Sequence, residues 1–396
     1  MSRICVTGIG VISAIGNSAP ENRDSLSNGV CGLSRETRHL ESKFNGRLPF
    51  GEINLSTPEL RKKLNADTRG FTRTTLIALH AFQEAVIDAE LSQEFIRSPD
   101  TAFIGASTVG GMCLTNELYR DANTRTGGSE YVFSYDCASA NIQISEKYRM
   151  EGINNTINTA CSSSANAVMY GARLIRHGLA QRAIVGGVDS LAKFTINGFN
   201  ALFILSQENC RPFDADRNGL NLGEGAAYLV LEKEEDCSNK RVYGFLTGYG
   251  NSNDAFHPSS LSEEGDGPFL SMRRALDEAS LQPAEIDYIN AHGTGTENND
   301  EVESQAIIRL FENPPAFTST KSNTGHTLGA AGSLEAIYSI FNLNYQEIYP
   351  ALNFKKPIPG KGLRPVMELT KAKIDHVMSN SFGFGGNCTS LIFSKA

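Results

Sequence analysis

The sequence predicts an α/β protein made of two similar halves. Two observations carry that expectation. First, short β-branched and apolar runs alternate with stretches of helical periodicity along the whole chain. Second, patterns of the first half recur in the second. Val6-Thr7-Gly8-Ile9-Gly10 is echoed by Leu246-Thr247-Gly248-Tyr249-Gly250. A strand–turn–helix unit around Cys161 is echoed by a strand at 317–320, a turn at 321–326 and a small-residue helix at 327–341. The expected halves are 1–240 and 241–396, divided at the charged stretch 232–240. Alternating strands and helices imply parallel or mixed sheets covered by helices. Ala165, Ala167, Gly171 and Ala172 on one central helix, and the run Gly329 to Gly332 on the other, would let the two pack closely.

In chain order, 3–10 reads as a strand leading into a glycine turn. Gly8-x-Gly10 invites a dinucleotide-binding reading, but position 13 is Ser, so a tight turn is expected instead. Residues 68–89 carry a helical pattern with Phe71, Thr75, Leu79, Phe82 and Val86 on one face. Residues 101–106 form a strand followed by a glycine-containing turn. Residues 153–160 read as a strand. From Ser162 the period changes, with Ala165, Val168, Met169, Ala172 and Ile175 sharing a face and Gly178 as the stop. Further strands are expected at 182–188, 226–231 and 286–290. A polar, turn-rich loop spans 211–219.

With 396 residues and 40% hydrophobic content, the chain can bury a large core. Its net charge of −8 argues against a dominant nucleic-acid surface. No apolar run approaches the roughly 20 residues that span a bilayer, and the N-terminus reads as a first strand rather than a signal peptide. The eight cysteines are scattered without a Cys-x-x-Cys pair. They are expected to be reduced thiols of a cytoplasmic protein with no zinc site.

Chemistry concentrates at strand ends. Cys161, in Thr159-Ala160-Cys161-Ser162-Ser163-Ser164, falls where a strand becomes a helix. Unpaired N–H groups and the helix dipole there favour a thiolate. Taken alone, Cys161 reads more readily as a buried structural cysteine. His292 lies in a glycine-rich turn after the strand 286–290. Lys321 and His326 share a second turn, and 380–387 is a glycine-rich third whose N–H groups can point at a ligand.

Together, the segments Thr-Ala-Cys-Ser-Ser-Ser (159–164), His-Gly-Thr-Gly-Thr (292–296), Lys-Ser-Asn-Thr-Gly-His-Thr-Leu-Gly-Ala-Ala-Gly (321–332) and Asn-Ser-Phe-Gly-Phe-Gly-Gly (380–386) resemble the β-ketoacyl–acyl carrier protein synthases of the KAS I/II type. Gly186-Gly187, Arg211-Pro212-Phe213-Asp214 and Gly223-Glu224-Gly225-Ala226 fit the same pattern in order, so the resemblance covers essentially the whole chain. It implies a thiolase-like fold, with two pseudo-duplicated halves stacked in five αβαβα layers, and a homodimer.

The resemblance also implies roles. Cys161 would carry the acyl chain, with the N–H groups of Cys161 and Phe384 as the oxyanion hole. His292 and His326 would hold the enolate formed when malonyl–carrier protein loses carbon dioxide. Lys321 would position the histidines, paired with Glu303. Thr294 and Thr296 would bind the phosphopantetheine arm that delivers substrates, with no permanently bound cofactor. Phe384 would gate an acyl pocket lined by Val109 and Phe199. Asn290, Glu335, Ser379 and Asn380 fall where some relatives hold a monovalent cation. The acidic acyl carrier protein needs a basic docking patch, and Arg61, Lys62, Lys63, Arg69 and Arg73 form the densest cluster. No nucleic-acid or membrane partner is expected.

The implied activity is decarboxylative condensation in fatty acid elongation. A specialised polyketide or aryl-polyene ketosynthase and a non-catalytic chain-length-factor-like subunit are the alternatives. Two stretches depart from the family pattern: Asn387-Cys388-Thr389 after the glycines, and 131–152 before the catalytic strand. A thiolase would place a second cysteine in a Cys-x-Gly near the C-terminus, and a KAS III-type enzyme would have Asn at position 326.

Overall fold

The computed structural model describes residues 3–66, 70–129 and 131–396. Its first half contributes strands β1 (Ile4–Ser13), β2 (Thr101–Ala106), β3 (Asn154–Ile157), β4 (Arg182–Asp189) and β5 (Gly225–Lys233). The second half contributes β6 (Gly244–Asn253), β7 (Tyr288–Asn290), β8 (Ala316–Thr318), β9 (His376–Phe382) and β10 (Asn387–Ser394). The strands lie in the order β3-β2-β4-β5-β1 and β8-β7-β9-β10-β6, which is one topology used twice. In each half the first two pairings are parallel and the last two antiparallel. A short antiparallel pairing of Ile4–Val6 with Gly244–Leu246 joins the halves edge to edge.

Helices α1 (Arg73–Asp88) and α2 (Ser139–Tyr148) cover the outer face of the first sheet. Helix α4 (Lys193–Ala201) follows β4. Helices α5 (Asp266–Ala279) and α6 (Glu297–Leu310) lie outside the second sheet. Between the sheets run α3 (Ser163–Arg176) and α7 (Ala331–Tyr345). Three apolar clusters fill the gaps. Phe82, Phe103, Ile144 and Tyr228 lie on the first outer side, and Met272, Ile289, Ile307 and Ile392 on the second. Val168, Val185, Leu229, Ile337 and Leu391 form the central cluster. These are the five layers expected from the sequence.

Gly8 and Gly10 do not make the expected turn. β1 runs through them to Ser13, and the helix expected over 68–89 covers only α1, capped by the Thr72 hydroxyl; Thr68 lies outside the described residues. A Cβ on Gly8 would stand 2.5 Å from the Ala85 carbonyl oxygen, and one on Gly10 would stand 2.2 Å from that of Ala81. Their echoes meet α5 in the same way, at 2.2 Å from Ala275 O for Gly248 and 2.1 Å from Ser271 O for Gly250. The repeated Thr-Gly-x-Gly is therefore a helix-on-strand contact. The turn expected at 321–326 contains a short helical turn, Lys321–Thr324.

The central helices approach through Gly332, where a Cβ would lie 2.7 Å from the Ala165 backbone nitrogen. Ser333 N–H donates to Ser164 Oγ (2.9 Å) beside it. Because the obstacle is backbone, Gly332→Ala should destabilise the protein by about 1–3 kcal/mol. Gly127→Ala, where the added carbon meets nothing, serves as the control. Denaturant unfolding checks this; equal midpoints for the two variants would contradict the packing account.

Candidate active site

β3 ends at Ile157 and α3 begins at Ser163, so Cys161 is carried on the tight connection between them. Ala160 takes the left-handed conformation (φ 53°), a strained setting for an alanine that turns the next side chain out of the strand direction. The Ser163 hydroxyl donates to Ala160 O and accepts from Thr159 N–H (2.9 Å), which fixes the turn. The β9–β10 hairpin lies against it. Gly383 makes that approach possible, since a Cβ there would come within 2.6 Å of Thr159 O. The Phe384 N–H reaches the Cys161 sulfur. Among the described residues, neither the Cys161 nor the Phe384 N–H is used in a backbone hydrogen bond. Two N–H donors therefore converge beside the thiol.

The thiol is not the ready thiolate expected from the helix N-terminus. Burial pushes Cys161 up to about 11; the Lys321 charge and the Phe384 N–H pull it down, but by less.

His292 and His326 arrive from the second half. The Cys161 sulfur and one nitrogen of each ring lie within 4.8 Å of one another. The rings stand nearly perpendicular, with centroids 5.3 Å apart. Leu328 N–H donates to His326 Nδ1 (3.3 Å), so the ring proton belongs on Nε2, which has no partner among the described residues. Lys321 Nζ lies 3.3 Å from His292 Nδ1 and donates to His292 O (2.5 Å). An ammonium beside Nδ1 places the His292 proton on Nε2 as well. Burial holds both imidazoles well below their ordinary range; the Lys321 charge adds to this for both, and His326 adds further for His292. Both rings are neutral Nε2–H donors at neutral pH. The trio could ligate a metal ion by distance, but the buried Lys321 ammonium against His292 opposes a cation there.

The expected Lys321–Glu303 pair does not form. Lys321, 1% exposed, pairs with Glu335 of α7. Glu303 instead accepts from the N–H groups of His292 (2.9 Å) and Gly293 (2.8 Å), and from Asn380 Nδ2. Burial raises each carboxyl to about 7, while Lys321 pulls Glu335 down and the two N–H groups pull Glu303 down. Glu303 is thus a brace for the histidine turn. The sequence placed it beside the right loop but gave it the wrong partner, because Glu335 lies one helix further along the chain.

Two cavities meet at Cys161. One, about 410 Å³, opens past His292, His326, Thr294, Thr296 and Phe384. The Thr294 and Thr296 hydroxyls are 2.9 Å apart. The other, about 520 Å³ and largely apolar, contains Val109, Met112, Phe194, Phe199 and Leu328. Phe384 borders both and stacks on Phe199 with centroids 5.8 Å apart.

The departure at Asn387 is accommodated. Asn387 Oδ1 accepts from Ser162 Oγ, Asn166 Nδ2 and Asn251 Nδ2 at 2.8–3.0 Å, and Asn387 O holds Gly383 N–H. This network ties the nucleophile turn to the hairpin and was not legible in the sequence. Asn290 Oδ1 and Glu335 Oε2 are buried oxygens without partners among the described residues. Asn380 Oδ1 is taken by Ser390, and Ser379 is buried beside it.

The basic patch is smaller than expected. Arg73 turns inward to a buried ion pair with Glu224, and Arg61 donates to the carbonyls of Ala66 and Phe71. Arg69 lies outside the described residues. Lys62 and Lys63 are exposed.

A thiol that can hold an acyl group, facing two donors that can hold an oxyanion, is the working arrangement of the thiolase-like condensing enzymes. Comparison with known proteins narrows that class. The sequence matches the beta-ketoacyl synthase N-terminal domain over residues 1–237 and the C-terminal domain over 243–355. It is 34% identical to 3-oxoacyl-[acyl-carrier-protein] synthase 2 of Coxiella burnetii (99% of this chain, 98% of the relative). It is 33% identical to the mitochondrial 3-oxoacyl-[acyl-carrier-protein] synthase of Arabidopsis thaliana (99% and 93%). Among solved structures, the ishigamide ketosynthase/chain length factor superposes with a TM-score of 0.92 at 30% identity, covering 100% of this chain and 99% of that one. The chain belongs to the β-ketoacyl synthase family.

With the thiol at about 11, alkylation of Cys161 by iodoacetamide should rise about tenfold per pH unit from pH 7 to 9 without levelling. Intact-mass kinetics measure this. A plateau below pH 8 would show a thiolate stabilised beyond what the site provides.

Proposed function

We propose that this enzyme condenses an acyl group held on Cys161 with malonyl–acyl carrier protein, giving a 3-oxoacyl–carrier protein in fatty acid elongation. The observation that carries the reading is the pair of neutral Nε2–H donors beside a buried thiol. In the first half-reaction the Cys161 sulfur attacks the acyl thioester. The oxyanion is held by the Cys161 and Phe384 N–H groups, and the departing phosphopantetheine thiolate takes the Cys161 proton. The acyl chain then occupies the apolar cavity. In the second, the malonyl C–C bond breaks, carbon dioxide leaves, and the electron pair moves to the enolate. Its oxygen accepts from His292 and His326 Nε2–H. Because both rings are neutral, they stabilise charge that appears and vanishes within one turnover without holding a permanent one. The carbanion attacks the acyl carbonyl, a C–C bond forms, and the C–S bond to Cys161 breaks. The released sulfur regains a proton from solvent.

Thr294 and Thr296 are assigned to the phosphopantetheine arm, and Phe384 to the passage between the cavities. The partnerless oxygens of Asn290 and Glu335 fit a structural monovalent cation beside Ser379 and Asn380. The exposed edge of β3, with Val132, Phe133 and Tyr135 exposed in the chain before it, supports a homodimer. The eight free thiols suit a cytoplasmic setting. No described helix is long and apolar enough to cross a membrane.

His292→Ala or His326→Ala should each lower carbon dioxide release from malonyl–carrier protein by about 10²–10³-fold, while acyl loading on Cys161 persists. Cys161→Ala should do the reverse. Loss of loading with decarboxylation intact in the histidine variants would overturn the division of labour. A loading series of acyl chains separates fatty acid elongation from a specialised ketosynthase.

If Lys62 and Lys63 contact the carrier protein, changing both to Glu should raise KM for carrier-bound substrates several-fold and leave kcat unchanged. An unchanged KM removes them from the docking surface.

A further inference from the structure

Asp189, at the end of β4, is a buried carboxylate at 0% exposure. It accepts from Ser107 Oγ (2.8 Å), Thr108 N–H (2.9 Å), Thr108 Oγ1 (2.6 Å) and Val109 N–H (2.8 Å) in the connection after β2. It also accepts from Gly329 N–H (2.7 Å) of the second half. No Lys, Arg or His pairs with it among the described residues. Burial raises the Asp189 carboxyl from its ordinary value, and the hydrogen bonds from Thr108, Val109 and Ser107 pull it back down, favouring the anion that burial opposes.

The two segments it joins do different work. Thr108 and Val109 line the apolar cavity beyond Cys161. Gly329 follows Leu328, whose N–H fixes the proton of His326 and whose side chain also lines that cavity. Leu328 sits in the left-handed region (φ 53°), which a leucine adopts only when its surroundings hold it there. The Gly329 N–H on Asp189 supplies that restraint one residue downstream. Gly329 is packed tightly, since a Cβ would come 2.9 Å from Asp189 Oδ2 and 3.0 Å from Thr108 Cγ2.

We propose that Asp189 is a positioning residue for both half-reactions: one carboxylate sets the wall of the acyl cavity and the turn that orients His326. This rests on the condensation reading above. The placement has a cost for the nucleophile, because the Asp189 charge is among the influences that raise the Cys161 thiol.

Asp189→Asn keeps the shape but loses the charge and one full acceptor. The expected result is at least a tenfold fall in carbon dioxide release from malonyl–carrier protein, with altered loading of Cys161 across an acyl series. The alkylation profile of Cys161 should also move to lower pH. The last readout requires no turnover, so it tests the Asp189 placement even if the wild-type enzyme proves not to decarboxylate malonyl–carrier protein, which would instead overturn the functional reading. If Asp189→Asn does not fold, Gly329→Ala, which pushes on the same carboxylate, should lower decarboxylation several-fold with the alkylation profile unmoved. A folded Asp189→Asn with wild-type decarboxylation and loading overturns the proposal, whatever its alkylation profile. So does a folded Gly329→Ala with wild-type decarboxylation.

Discussion

The site depends on one buried cation. Lys321 carries its ammonium into the protein interior, where a lone charge costs several kcal/mol. It is tolerated because Glu335 pairs with it and the His292 carbonyl accepts from it. That placement decides the chemistry around it. It adds to the burial that keeps both imidazoles neutral, sets which nitrogen of His292 carries the hydrogen, and lowers a thiol that burial alone would leave less reactive. With a neutral residue in its place, burial would still hold both rings neutral, but His292 would lose the ammonium that fixes its tautomer and Glu335 would become an unpaired buried acid.

The duplicated fold explains how such a site can be built from distant parts of the chain. The nucleophile turn comes from the first half. Both histidines, the lysine and the hairpin N–H come from the second. The two meet because α3 and α7 pack through Gly332 and Ala165, and because Asn387 and Asn251 carry a polar network across the seam. Each half also repeats the same helix-on-strand contact at its Thr-Gly-x-Gly segment. The geometry near Cys161 therefore follows from two copies of one architecture placed face to face.

Much of this was legible in the sequence. Cys161, His292, Lys321, His326 and Phe384 lie in compact turns at strand ends, where local residue types determine what can be presented to a cleft. Val109 and Phe199, which only the family resemblance singled out, line the apolar cavity, Phe199 from within α4 rather than from a turn. Pairings between distant elements were not legible. Glu335 and Glu303 are both buried acids on helices of the second half, and only the packing of α7 decides which one meets Lys321. Arg73 looks like a surface cation in a basic run, yet its helix face turns it to Glu224. Gly8 and Gly10 look like a turn because sequence shows glycine but not the helix pressed against it. The anionic character of Cys161 was overestimated because burial, invisible in the sequence, outweighs the favourable helix end.

The account stands on the protonation of two rings. Nitrogen NMR of protein labelled at histidine, with His292 and His326 assigned by single substitutions, reads the state of each ring nitrogen directly. The account predicts that both rings are neutral with the proton on Nε2, and that neither titrates between pH 6 and 8. An imidazolium at either position at pH 7, or a proton on Nδ1 of either ring, would contradict it.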